Sequence, residues 1–167
     1  MIILGIDPGS QITGYGLVES VQSRLRHIDN GGIFTRNQDT FPQRLHTIFS
    51  GVKELIAKFS PDVVAIENIF YAKNVKSTVQ LGHARGAAMV AGMEFKLPIF
   101  EYTPLVIKQA VVGYGRASKE QIQQMVKSIL KLSEVAYFDA SDALAVAICH
   151  AHSATLDQKL KLAGGMK

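Results

Sequence analysis

The sequence predicts an α/β fold: a five-stranded mixed sheet, three antiparallel strands followed by two parallel ones, flanked by helices on both faces. Three observations carry this. Residues 1–35 hold three strand-type segments and no helical period. Apolar residues then recur at three and four from Phe41 to Phe59, the mark of an amphipathic helix. Two more short apolar runs, at 62–67 and 97–102, each follow a helical stretch, and a strand that follows a crossover helix pairs parallel in the right-handed sense.

At 167 residues with 47% hydrophobic content, the chain is long enough for one domain with a sizeable core. We expect that domain over 1–152, and a basic, flexible tail over 153–167. No apolar run approaches the roughly 20 residues that span a bilayer, so no membrane partner is expected. Met1 leads directly into a strand containing Asp7, and no signal peptide is visible. The single Cys149 sits in an apolar helical pattern and fits a reducing cytoplasm. No CxxC or histidine cluster suggests zinc. Net charge is +4, a modest value, but its distribution is uneven. From Lys108 to Lys131 there are five basic residues against one acid, Glu120, and from Tyr71 to Lys96 four against one, Glu94. That is the pattern of a polyanion-binding surface or of ordinary solvated helix faces.

The first strand, Ile2 to Ile6, ends in Asp7-Pro8-Gly9. Pro presets φ for a turn and Gly tolerates the positive φ of a type II turn. Asp7 therefore sits where a buried strand leaves the core, as a turn former or as part of a site. Ile12 to Glu19 is the second strand, with Gly14 and Gly16 marking close backbone approach or a bulge. Arg24–Asp29 and Gly32–Thr35 form the third, with a kink or turn at Asn30-Gly31-Gly32. A helix from about Pro42 to Phe59 stops at Ser60-Pro61. The strand at 62–67 then ends in a second acid, Glu67, and lies beside the first.

A polar and basic loop, 68–77, carries Ile69, Phe70 and Tyr71. The next helix, 78–95, holds Gly82 and Gly86 four apart; helical Gly costs about 1 kcal/mol relative to Ala, so close helix packing is implied, inside the domain or across a dimer. After the strand at 97–102, Thr103-Pro104 opens a helix to Val112. A basic loop, 113–117, contains Arg116. Ser118 with Gln121 forms a capping box for the following helix. The last helix runs from Asp139 to His152.

Asp139 and Asp142 share a helix face. Asp139 reads as an N-cap and Asp142 as an acid near the positive helix terminus. With Asp7 and Glu67 they also make four acids at element ends in an apolar frame. Four such carboxylates repel one another and drift toward protonation unless divalent cations bind. All-oxygen ligation suits Mg²⁺ or Mn²⁺. Two such ions roughly 3.5–4 Å apart can activate water and stabilise the leaving oxygen of a phosphodiester.

The order β-β-β-α-β-α-β-α, with acids after strands one and four and on the last helix, resembles the ribonuclease H-like fold. The segments GIDPGS…TGYG, IEN-IFYAKN, LGHARG, KQAVVGYGRASKEQ and DASDALAVAICH closely resemble the RuvC family of crossover (Holliday) junction endonucleases, from about Met1 to His152. The resemblance implies a Mg²⁺-dependent homodimer, with two ions per site and Mn²⁺ as a substitute. It would nick a four-way DNA junction symmetrically in recombination and repair, leaving 5′-phosphate and 3′-hydroxyl ends. The family's metal-binding acids fall on Asp7, Glu67, Asp139 and Asp142; some members carry His at the position of Asp139. Its base-pair-opening aromatic falls on Phe70, and its basic residues near the scissile phosphate on Lys108 and Lys119. Its dimer helix is the one holding Gly82 and Gly86, and a RuvA–RuvB branch-migration complex is implied as partner.

General physics is consistent with these roles. A loop aromatic beside Lys73, Asn74 and Lys76 can stack on an unpaired base while its neighbours hold the backbone, or it can anchor the loop to the core. Lys108 and Lys119 can stabilise phosphate charge in the transition state, or be solvated helix lysines. Three rivals remain: an actin-like ATPase, for which GIDPGS fits but a second lobe is missing; a nuclease of the same fold acting on RNA; and a non-catalytic DNA-binding module, in which four retained acids would only weaken binding.

Overall fold

The computed structural model describes residues 1–22, 24–68 and 74–164, with the backbone alone over 157–164. Strand β1 (Ile2–Asp7) is central, its Ile3, Leu4 and Ile6 fully buried. It pairs antiparallel with β2 (Ile12–Val21), with Gly5 opposite Gly16 and Asp7 opposite Gly14. Strand β2 pairs antiparallel with β3 (Arg24–Phe34). On its other edge β1 pairs parallel with β4 (Val63–Glu67), and β4 with β5 (Ile99–Tyr102). The order β3-β2-β1-β4-β5 is the expected mixed sheet.

Helices α1 (Phe41–Phe59) and α2 (Val75–Glu94) cover one face, packing on Leu4, Ile6, Leu17, Val64 and Ile66. Helices α3 (Pro104–Val112), α4 (Lys119–Leu130) and α5 (Phe138–Gly164) cover the other, on Ile3, Val18, Val63 and Ala65. Helix α1 buries Ile48, Val52 and Ile56, one per turn, and closes at Ser60 in the left-handed region. Ser118 and Gln121 form the expected capping box on α4. Helix α3 ends at Gly113, whose φ of 85° is one that a residue with a side chain rarely adopts.

Four expectations need correction. Strand β3 is continuous: no turn breaks it at Asn30-Gly31-Gly32, and the irregularity is a bulge at Ile28, the extra residue of β3 opposite Leu17 and Val18 of β2. Helix α2 begins at Val75 rather than Thr78, because the Asn74 side chain caps it, accepting from Lys76 N at 2.9 Å and Ser77 N at 3.4 Å. Helix α5 begins one residue before Asp139, so Asp139 lies in the first turn and is not the cap. The same helix continues past His152 to Gly164, since the segment from Ala154 to Ala163 carries good helix formers and no proline.

Helix α5 lies against the bare backbone of the sheet. A Cβ on Gly5 would stand 2.1 Å from the Ala143 carbonyl oxygen, one on Gly16 would stand 2.7 Å from Leu144 N, and one on Gly14 2.0 Å from the Asp139 carbonyl oxygen. Each clash is with backbone, which has nowhere to move. By contrast, a Cβ on Gly82 of α2 would meet nothing within 4 Å. Gly5→Ala is therefore expected to lower the free energy of unfolding by about 1–3 kcal/mol or more. Within a single subunit, with no partner packed on α2, Gly82→Ala is expected to leave it unchanged or raise it by up to about 1 kcal/mol. Urea unfolding of the two variants checks this; a Gly5→Ala protein as stable as the parent would contradict the docking of α5.

Candidate active site

Side chains alternate along a strand, so Ile3, Gly5 and Asp7 point to the α5 face, as do Val63, Ala65 and Glu67. The parallel register pairs Ile6 with Ile66, which sets Asp7 and Glu67 side by side where β1 and β4 end. The first turns of α5 bring Asp139 and Asp142 to the same edge, with the Asp139 backbone seated on Gly14. Three elements far apart in sequence thus deliver the four predicted acids to one place. Two supports were not predicted. Buried Thr13 donates its hydroxyl to the Gly9 carbonyl oxygen at 2.8 Å, fixing the turn that follows Asp7. Asn68 N donates to the Tyr102 carbonyl oxygen at 2.8 Å, fixing the chain just after Glu67. Thr13 sits in a strand pattern that reads as packing, and the Tyr102 contact is purely backbone, so neither leaves a sequence signal.

The electrostatics are those of acids held together against their charge. Burial pushes the Asp7 carboxyl up to about 8, with the Glu67 and Asp142 charges adding to it. Asp7 keeps its proton and donates it to Glu67, which lowers Glu67, but burial still leaves Glu67 above the ordinary carboxylate range. Burial also raises Asp142, against the pull of Lys119. Lys119 Nζ stands 3.4 Å from Asp142 Oδ2, and that charge raises the lysine. Among the described residues, no three His, Cys, Asp or Glu side chains are drawn into a ready-made ion cage. The reason is visible in the pairing: Asp7 is turned to Glu67, and Asp142 to Lys119. The donor set is nevertheless all carboxylate oxygen, which fits a hard divalent cation.

The predicted basic residues divide. Lys108, half-buried on α3, acts electrostatically on both Glu67 and Asp142, and so faces the site, as does Lys119 at the start of α4. Arg116 is exposed on the loop between those helices. Lys76 is exposed in the first turn of α2, and Asn74 is its cap, with the side-chain amide NH₂ left to donate outward. Phe70 and Lys73 lie outside the described residues.

Residues 3–150 match the family described as crossover junction endodeoxyribonuclease RuvC. Proteins of that name from Geobacter sp. (strain M21) and Geobacter metallireducens are 59% and 58% identical over 161 residues, covering 96% of this chain and 98% of each relative. The solved structure of Thermus thermophilus RuvC in complex with a Holliday junction substrate superposes with a TM-score of 0.88 at 34% identity, over 94% of this chain and 96% of that one. The yeast mitochondrial Holliday junction resolvase Ydc2, at 16% identity and a TM-score of 0.68, over 93% of this chain and 80% of its own, shares the fold. Nucleases of the RuvC and ribonuclease H-like kind are metal-dependent in general. With well over half its residues shared with curated relatives across nearly its full length, and with the same sheet and helices, the chain belongs to the RuvC family of crossover junction endodeoxyribonucleases.

Proposed function

We propose that this endonuclease resolves four-way DNA junctions by cation-assisted hydrolysis of a phosphodiester held over Asp7, Glu67, Asp139 and Asp142. The observation that carries the reading is the arrival of four acids from β1, β4 and α5 at one sheet edge, with Lys108 and Lys119 beside them. When bound, a pair of Mg²⁺ ions, or Mn²⁺ in their place, supplies water activation and charge neutralisation. Asp7, Glu67, Asp139 and Asp142 would hold the ions, Asp7 then being deprotonated and Asp142 turned from Lys119. Lys119 is then free to hold a phosphate oxygen, with Lys108 adding charge to the same side. Water attacks phosphorus, the bond to the 3′ oxygen breaks, and the products carry a 5′-phosphate and a 3′-hydroxyl. The junction-bound Thermus relative supports the choice of substrate. Phe70, Lys73, Asn74, Lys76 and Arg116 are the residues we assign to DNA contact.

The same reading makes the protein a homodimer through α2. That helix has two apolar faces. Ala84, Ala88 and Ala91 are buried against the sheet, while Val75, Val79, Val90 and Met93 are exposed. Gly82 and Gly86 continue that stripe at helical spacing, and a Cβ on either would meet nothing within 4 Å among the described residues. A two-fold dimer presents two equivalent sites to a substrate of near two-fold symmetry. Family membership implies a RuvA–RuvB branch-migration complex as partner, and a cytoplasmic location fits the buried free thiol of Cys149. No described helix is long and apolar enough to cross a membrane.

Three outcomes are expected. On a synthetic four-way junction, the parent makes paired nicks with Mg²⁺ and none with EDTA, and Asp7→Asn slows cutting about a thousandfold or more while binding persists; cutting by the metal-free protein would contradict the scheme. Gly82→Glu with Gly86→Glu turns the dimer into a folded monomer by analytical ultracentrifugation, and paired nicking is lost; a double variant that still sediments as the dimer would refute the interface. The third concerns pH. The folded, metal-free protein keeps on Asp7 a proton that the unfolded chain releases near 3.8 and the folded one near 8. Stability therefore falls as pH rises through that window, by up to about 1.4 kcal/mol per unit for one proton. Glu67 and Asp142, both raised, act with the same sign. Asp7→Asn removes most of the slope and saturating Mg²⁺ flattens it; denaturant midpoints across the pH range read this, and a metal-free parent that grows more stable would oppose it.

A further inference from the structure

Beside Asp139, on the side of the site away from β4, lies a cavity of about 710 Å³ lined by Ile12, Asn30, Gly32, Phe34, Tyr137 and Asp139 among others. Its position follows from register. Asn30, Gly32 and Phe34 on β3 pair with Gly16, Gly14 and Ile12 on β2 and share their α5 face, so the groove runs along β3 past the start of α5. Two large aromatics stand exposed at its rim, Phe34 at 68% and Tyr137 at 89%. Neither serves the core. The Phe34 ring reaches back over Gly32, close enough that a Cβ there would stand 3.1 Å from its Cζ. Asn30 Oδ1 is engaged by the His27 ring at 2.6 Å, which leaves its NH₂ pointing to other acceptors.

We propose that this cavity is a base-stacking subsite: it holds an unpaired nucleobase of the junction strand as that strand runs away from the carboxylates, between Phe34 and Tyr137, with the Asn30 amide donating to the base edge. The chemistry selects the ligand. Among the described residues no lysine or arginine lines the cavity and Asp139 does, so a phosphate is repelled. A base is uncharged, has two π faces and needs an acceptor-reading donor at its edge. Base–aromatic stacking is tolerant of sequence and strong enough to hold an unpaired nucleotide, and the volume is that of a small-ligand pocket. Continuity with the acidic edge makes the occupant DNA rather than a protein segment. The proposal takes its ligand from the nuclease reading but none of its geometry.

The test uses the full-length protein in EDTA, so that binding is read without cutting. 2-Aminopurine is placed in turn at positions flanking the scissile phosphate, mapped beforehand with the parent and Mg²⁺. The parent is expected to quench the probe at one or two adjacent positions. Phe34→Leu and Tyr137→Leu keep apolar bulk without π faces; each should restore the signal there and weaken junction binding roughly tenfold. Thermal unfolding should be unchanged, because both side chains are exposed. Asn30→Ala is expected to alter base preference at the quenched position without abolishing quenching. Quenching retained in the Phe34→Leu/Tyr137→Leu double variant, or junction affinity within twofold of the parent, would overturn the subsite. So would cleavage lost with binding unchanged, which would mean the aromatics act on Asp139 rather than on a base. A parent that binds no junction would overturn the nuclease reading itself, and the subsite with it.

Discussion

The contact on which the rest depends is that of α5 with the uncovered backbone of β1 and β2. Gly5, Gly14 and Gly16 form a floor without side chains, and the helix backbone rests on it at Asp139, Ala143, Leu144 and Ala147. An ordinary strand would hold the helix about a side chain's depth further off. Contact at this depth does two things. It buries the apolar stripe of α5 completely, with Leu144, Val146, Ala147 and Ile148 at 0% exposure. It also carries the first turn of the helix down to the ends of β1 and β4, where two acids already stand. The site is therefore a product of packing: removing side chains from the sheet is what moves the helical carboxylates into place.

The same packing makes the site electrostatically unfavourable when it holds no cation. Desolvation and mutual repulsion raise Asp7, Glu67 and Asp142 together, and the fold tolerates this by sharing a proton and by lending Lys119 to Asp142. Lys119 is two-thirds exposed, so its hold on Asp142 is weak and readily exchanged. A hard divalent cation held by these three acids would relieve all of them at once. A cation bound there would draw on the repulsion among these carboxylates, and in this structure Lys119 supplies the positive charge beside Asp142. In the proposed reaction the displaced lysine would hold a substrate phosphate oxygen, joining loading of the site to stabilisation of the reaction.

Much of this was legible in the sequence. Asp7 and Glu67 each end a short apolar run, and a carboxylate at the end of a buried strand stands out locally. The Thr103-Pro104 and Ser118/Gln121 signals opened helices where the structure opens them, because caps are short-range chemistry. What depended on distant partners was not legible. Gly14 and Gly16 read as points of close approach, but nothing local says that α5 is what approaches. Asn74 reads in the sequence as a DNA-backbone contact in a polar loop; what the structure shows is a cap, which moves the start of α2 back to Val75. The end of α5 was misjudged because a lysine-bearing tail without proline reads as polar chain and yet has good helix propensity. Phe34 and Tyr137 carry no periodicity and lie about a hundred positions apart; only the pairing of β3 beside the start of α5 makes them neighbours.

The account is tested most directly by locating a bound metal. Crystals of the protein soaked in Mn²⁺ and measured at the manganese absorption edge should show anomalous density between Asp7 and Glu67 and the side chains of Asp139 or Asp142, with Lys119 turned away from Asp142. Density held by a single carboxylate, or lying away from the end of β1, would contradict it.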